Sequence, residues 1–159
     1  MIAPGKTDLA EPSFATSKAA RIFMLVARIV LGGIFVYAGY VKLRDPWQLF
    51  AMSINSYDVL PLAMAETAAR VIPWLEVALG LMVMAGIWLR ISGTVLSLLL
   101  LTFFTLMVRA YAKGMQINCG CFGPGEAISW KTLLRDGSMA AAAIAMTWLA
   151  FLQRRKTAA

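Results

Sequence analysis

The sequence predicts an all-α integral membrane protein: a four-helix bundle with a short interfacial or re-entrant helix between its first and second spans. Three observations lead there. Hydrophobic residues make up 60% of the chain and charged residues only 14%, against roughly 45–50% and 25% in an ordinary soluble domain. The mean hydropathy is +0.73. The apolar residues also gather into four long runs with basic residues at their ends, where the anchors of membrane helices sit.

The 159 residues suit one compact domain. The net charge of +7 does not point to nucleic acid, because the basic residues flank apolar runs and form no patch interleaved with aromatics. There is no histidine, so His-ligated haem, His-bound zinc or copper and an imidazole base are excluded. Proton chemistry falls to carboxylates, lysine, tyrosine or thiols.

Residues 1–20 read as a mobile polar tail with Pro4, Gly5 and Pro12. Asp8 and Glu11, and the long apolar run that follows, argue against a signal peptide. Residues 21–153 form the transmembrane domain, and 154–159 a basic tail. The first span runs from Ile22 to Val41 and is interrupted by Arg28; at about 1.5 Å per residue it reaches roughly 30 Å, the thickness of the hydrocarbon core. Gly32, Gly33 and Gly39 would let a neighbouring helix approach closely. Lys42 reads as an anchor whose ammonium snorkels to the interface.

Asp45-Pro46 opens a new segment, with Asp as cap and Pro at a first helical position. Trp47, Phe50, Ile54 and Tyr57 recur at helical spacing. The segment is too short to span and fits an interfacial or re-entrant helix. The second span, Val71 to Leu89, carries Pro73 and an embedded Glu76; the third, Ile91 to Val108, follows after a tight connection, so the two must be antiparallel neighbours. Thr102 and Thr105 bond back to their own helix. The fourth span runs from about Gly137 to Leu152, with Asp136 as its cap and the run Ala140 to Ala143 suited to close helix contact.

Between the third and fourth spans lies Asn118-Cys119-Gly120-Cys121-Phe122-Gly123, which holds both cysteines of the chain. Three readings compete: an inert pair, half a metal site, and a redox couple. A structural zinc needs about four ligands, and neither a histidine nor a third cysteine exists to complete the set. The redox couple is favoured, since Gly120 frees the backbone to bring the sulfurs together and a bridge over one residue would be strained and labile. Arg109, Lys113 and Lys131 lie nearby in sequence and would lower a thiol pKa. Four spans put both termini on one side and this loop on the other. Basic residues divide evenly between the two sides, so charge does not orient the chain. The thiol chemistry does: a working disulfide belongs on the oxidising, periplasmic face, which leaves the termini in the cytoplasm.

Arg28 and Glu76 are ionisable groups inside spans, costly and by default functional. They read either as an ion pair locking the first span to the second, or, with Trp74 or Tyr37 beside them, as the lining of a quinone pocket.

The runs Ala27-Arg28-Ile29-Val30-Leu31-Gly32-Gly33 and Ala38-Gly39-Tyr40-Val41-Lys42-Leu43, with Asp45-Pro46, resemble the first helix of the DoxX-like membrane proteins, as does Pro73-Trp74-Leu75-Glu76 followed by Gly80-Leu81. The Cys-Gly-Cys-Phe-Gly turn narrows the resemblance to the MauE branch, over roughly residues 21 to 153. The resemblance implies a four-helix inner-membrane protein with periplasmic cysteines. It also implies a role in maturing the disulfide-rich subunit of a periplasmic amine dehydrogenase, methylamine dehydrogenase, beside a thioredoxin-like partner. The alternative that it implies is a non-catalytic assembly or docking subunit of a DoxX-type redox complex, such as a thiosulfate:quinone oxidoreductase. The two readings separate on whether Cys119 and Cys121 turn over or merely staple their loop.

Overall fold

The computed structural model of the chain describes residues 18–115, 117–121 and 127–157, without the side chains of 154–157. Of the tail expected over 1–20, residues 1–17 lie outside the described residues, as do the Phe122 to Glu126 part of the cysteine turn and the basic side chains at the C-terminus, while residues 18–20 form the start of the first helix and not a tail. The rest is all-α, with five helices in chain order: α1 (Lys18–Arg44), α2 (Trp47–Asn55), α3 (Leu62–Ala85), α4 (Leu89–Ala112) and α5 (Trp130–Thr157).

Three of these, α1, α3 and α4, are long and apolar enough to cross a membrane, and the chain is a multi-pass membrane protein. They leave large apolar side chains such as Ile22, Ile29, Trp74, Leu81, Ile91 and Leu98 exposed on their outer faces, where a bilayer and not water is the matching solvent. The sequence expectation of four spans is met by three helices of that length and composition. The longest helix, α5, is diluted by Arg135, Asp136, Gly137 and Ser138 and is not among them.

Helix α1 packs chiefly on α3, and α4 on α5, with α5 also against α1. The α1–α3 contact is close because small residues line it. A Cβ added at Gly32 would meet Gly80 O at 2.7 Å, one at Gly80 would meet Gly32 O at 2.6 Å, and one at Gly39 would meet Pro73 O at 2.7 Å. Carbonyl oxygens cannot swing aside as side-chain ends can, so a larger residue at any of these three positions must push the two helices apart. Gly33, expected to share that role, has nothing within 4 Å. The main core joins Met24, Ala27, Leu31 and Phe35 of α1 to Val83, Leu96, Ala143, Met146 and Leu149.

Two helices begin earlier than the hydropathy implied. Helix α3 starts at Leu62, after Pro61, and runs through Arg70. The guanidinium of Arg70 stacks 4.1 Å from the Trp47 ring, so a charge that seemed to end the helix is accommodated on its side. Helix α5 starts at Trp130, capped by Ser129 and not by Asp136. Ser129 Oγ accepts from Thr132 N–H at 3.4 Å, while Ser129 N–H donates to Thr132 Oγ1 at 2.8 Å, a reciprocal capping pair. Asp136 is thereby carried into the helix body.

The short α2 exists, as its apolar stripe predicted. Phe50, Ala51 and Ile54 pack on Ala65 and Ala69 of α3, and Trp47 sits half-buried beside them. At the other end of the bundle, Gly86 in the left-handed conformation closes α3, with Ile87 N–H bonded to Met82 O at 2.9 Å and Gly86 N–H to Val83 O at 3.1 Å.

Candidate functional site

The cysteine loop is pinned at several points. Asn118 and Ala127 form a single antiparallel bridge, and Ile128 N–H bonds to Ile117 O at 3.1 Å. The Tyr57 hydroxyl, from the turn after α2, donates to Cys119 O at 3.1 Å. Gly120 lies between the cysteines at φ 71°, a left-handed conformation that glycine adopts without cost. A Cβ there would come within 3.1 Å of Ser53 in α2. The loop therefore folds down onto α2 and α4, with Cys119, Tyr57, Met107 and Ala110 forming a buried cluster.

The two thiols differ. Cys119 is 1% exposed, and its Sγ accepts the Cys121 N–H at 3.4 Å. Cys121 is half-buried, with Sγ 3.9 Å from Met107 Sδ and 3.8 Å from Cys119 O. The Cys121 pKa is driven well above the ordinary thiol range, first by its hydrogen bond with Cys119, then by burial and by the charges of Cys119 and Asp136. This reverses the expectation that nearby bases acidify the pair. Arg109, Lys113 and Lys131 are exposed on the surface, and the cation that lowers the Cys121 pKa is Lys42. Burial, with the charges of Cys121, Cys119 and Asp136, likewise holds the Tyr57 phenol above its usual range.

Lys42 does not snorkel. It is 5% exposed, under α2, with its Nζ 5.0 Å from the Phe50 ring centre. Its Nζ donates to both oxygens of Glu76, at 2.7 and 2.9 Å, and Glu76 is 4% exposed. Glu76 therefore pairs with Lys42, not with Arg28. Arg28 turns to the end of α3, where Nε donates to Val83 O at 3.1 Å, a carbonyl that also accepts the Gly86 N–H, and Nη2 donates to Met84 O at 2.9 Å, in the last turn of the helix.

The direction of helical side chains explains both outcomes. Each Cα–Cβ bond tilts towards its own helix N-terminus. In the antiparallel α1–α3 pair, whose register is set by the Gly32–Gly80 and Gly39–Pro73 contacts, Lys42 and Glu76 lean towards each other. Arg28 leans away, to the C-terminal end of α3. Trp74 is 66% exposed and Tyr37 58%, so the structure does not bring Arg28, Glu76 and Trp74 around one pocket.

What surrounds Glu76 instead is a cavity of about 40 Å³, lined by Phe35, Ala38, Lys42, Glu76, Leu99, Phe103, Cys121 and Asp136 among others. Four chemically active side chains from three helices and the loop thus face one small space. Among the described residues no cluster of three or more metal-ligating side chains occurs. A separate apolar groove of about 360 Å³ lies between α2, α3 and α4, with Cys119 and Tyr57 also in its lining. Sequence reasoning missed Lys42, Tyr57 and Asp136 as members of this region. The Ser129-x-x-Thr132 spacing was a legible signal for Asp136, because a helix begun there carries a carboxylate into its second turn.

The family model of the methylamine utilisation protein MauE matches residues 20–149. The methylamine utilization protein MauE of Methylorubrum extorquens is 27% identical over 144 residues, 89% of this chain and 72% of the relative. That of Paracoccus denitrificans is 33% identical over 125 residues, 75% of this chain and 65% of the relative. No solved structure matches the chain. The family match takes in all five helices save the last residues of α5 and the first of α1, and the chain belongs to the family of the methylamine utilisation protein MauE.

Proposed function

We propose that this protein is a thiol–disulfide exchanger of the bacterial inner membrane that serves methylamine utilisation. In this reading α5 is a fourth span beside α1, α3 and α4, the termini lie in the cytoplasm, and Cys119 and Cys121 face the periplasm. There they trade disulfides with a thioredoxin-like protein that matures an amine dehydrogenase subunit. The observation that carries the reading is the asymmetry of the pair. Cys121 is the less buried of the two, partly exposed at the loop, while Cys119 is buried two residues away with the Cys121 N–H on its Sγ. An exchanging pair needs one thiol that reaches the partner and a second that resolves the mixed disulfide.

A quinone, if it is the electron acceptor, does not fit around Arg28, Glu76 and Trp74, which point apart. The groove lined by Phe50, Ile54, Ile72, Leu99, Phe103 and Leu106 has the apolar lining that its tail requires, and Cys119 is part of that lining. Bound there, a quinone would supply a two-electron acceptor within the membrane.

A second reading, the non-turning-over docking subunit of a DoxX-type complex, draws on the packing of Cys119 with Tyr57 and Met107, which a structural role would also produce. Serine variants separate the two. In exchange, Cys119→Ser retains Cys121 and accumulates a mixed disulfide with a thioredoxin-like protein, while Cys121→Ser accumulates none, as non-reducing gels probed for the partner would show. Equal behaviour with no adduct overturns exchange in favour of docking.

A further inference from the structure

Asp136 stands out among the groups that the exchange reading leaves unused. Its side chain is 6% exposed. Oδ1 accepts from Arg135 Nε at 2.8 Å, whereas Oδ2 is buried with no hydrogen-bond partner among the described residues. An orphaned carboxylate oxygen is costly to bury, and a helix that only needed packing would carry an apolar residue there. Asp136 also lines the same cavity of about 40 Å³ as Cys121, room for roughly three waters at 10–15 Å³ each.

We infer that Asp136 is the acid–base group of the cysteine pair, exchanging a proton with the Cys121 thiol across the cavity that the two share. The inference rests on the exchange reading above. Among the described residues, the charged and titratable groups around Asp136 are few. Arg135 comes from its own helix, Lys42 from α1, Glu76 from α3, Cys119 and Cys121 from the loop, and Tyr57 from the turn after α2. Helix α4 contributes only Leu99, Leu100, Phe103 and Phe104 to the cavity. Lys42 is engaged by both oxygens of Glu76, which leaves Asp136, among the described residues lining the cavity, as the carboxylate with an open acceptor. Its charge also adds to the upward pull on the Cys121 pKa.

The step balances as follows. The Cys121 thiol gives its proton to Asp136, and the resulting thiolate attacks a disulfide sulfur of a partner protein. An S–S bond forms to Cys121 while the partner's own S–S bond breaks. The departing partner sulfur, an aliphatic thiolate, takes up the proton from Asp136. Cys119 then attacks Cys121 in the mixed disulfide, and its proton leaves with the second partner sulfur. The chain's dithiol is oxidised to a disulfide and the partner's disulfide is reduced to a dithiol, two electrons and two protons having moved together. The reverse sequence oxidises the partner through the same groups.

Two assays on the full chain in detergent, both in a Cys119→Ser background so that only Cys121 reports, test this. Iodoacetamide alkylation at neutral pH reads the thiolate alone. Reaction with oxidised glutathione reads the thiolate and also the proton delivered to the leaving sulfur. Asp136→Asn removes one negative charge beside the thiol, so alkylation should quicken. It also removes the proton carrier, so glutathione exchange should slow by about 100-fold, the lower end of what a positioned acid–base group contributes. Opposite signs in one variant are the signature, and a merely structural change would move both rates together. Asp136→Glu, which keeps a carboxylate at the cavity, should restore exchange. Rates that move in the same direction, no change in either, or a glutamate variant as slow as the asparagine one would overturn the role of Asp136. A chain with native cysteines that exchanges no faster than the Cys119→Ser/Cys121→Ser variant would instead overturn the exchange reading itself.

Discussion

Lys42 and Glu76 form a two-pronged ion pair at 2.7 and 2.9 Å that ties α1 to α3 inside the bundle, with neither side chain more than about one-twentieth exposed. Removing one member leaves the other charge buried without a counter-ion. Glu76→Gln should therefore destabilise the protein by roughly 3–5 kcal/mol, and replacing both, as Lys42→Met with Glu76→Gln, should recover much of that loss. Thermal unfolding in detergent reads both. A double variant no more stable than additive single losses would show that the pair is not coupled. Arg28→Gln combined with Glu76→Gln should show no such recovery, since Arg28 bonds to Val83 and Met84 carbonyls instead.

Neighbouring glycines should behave oppositely. An added methyl at Gly32 collides with the Gly80 carbonyl and with Met84, while Gly33 faces open space. Gly32→Ala should cost about 1–3 kcal/mol through overpacking of the α1–α3 contact. Gly33→Ala should be neutral or gain up to about 1 kcal/mol from helix propensity. Equal effects at the two positions would contradict the close crossing.

The alkaline limb of stability should depend on Tyr57. The pKa values of Cys121 and Tyr57 are raised above their ordinary 9.0 and 10.0, so the unfolded chain loses these protons first. The stability tied to the protonated groups is fully present below those ordinary values and drains away as pH rises beyond them. Tyr57→Phe should cost about 1 kcal/mol at neutral pH for the lost bond to Cys119 O, and should make the decline above pH 9 to 10 shallower. Melting temperatures over that range measure it, and parallel curves for the two proteins would rule it out.

The proposed orientation has a direct check in a chain lacking both native cysteines. Lys113→Cys lies at the loop end of α4 and Trp88→Cys at the opposite end of the bundle, and both native side chains are exposed. In intact spheroplasts an impermeant maleimide should label the residue at 113, and should label the one at 88 only after detergent. The reverse pattern would invert the topology.

Composition and hydropathy alone determined that α1, α3 and α4 are long and apolar enough to cross a membrane, because apolar length is a local property that survives any arrangement of neighbours. Local spacing was equally sufficient for α2, whose stripe of Trp47, Phe50 and Ile54 faces α3, and for placing both cysteines in one loop. The pairing of charges was not local. Arg28 and Lys42 stand nearly four turns apart on α1 and both face α3, so Glu76 had two candidate partners in the sequence. The close crossing of the two helices at Gly32, Gly39 and Gly80 fixed the register. The tilt of each side chain towards its own helix N-terminus then sent Glu76 to Lys42 and Arg28 to the carbonyls of α3. Asp136 followed the same logic. Its residue type was plain in the sequence, but its place beside Cys121 arose only when α5 began at Trp130 and packed against α1 and α4, since burial opposite a thiol is a relation between elements that no single element contains.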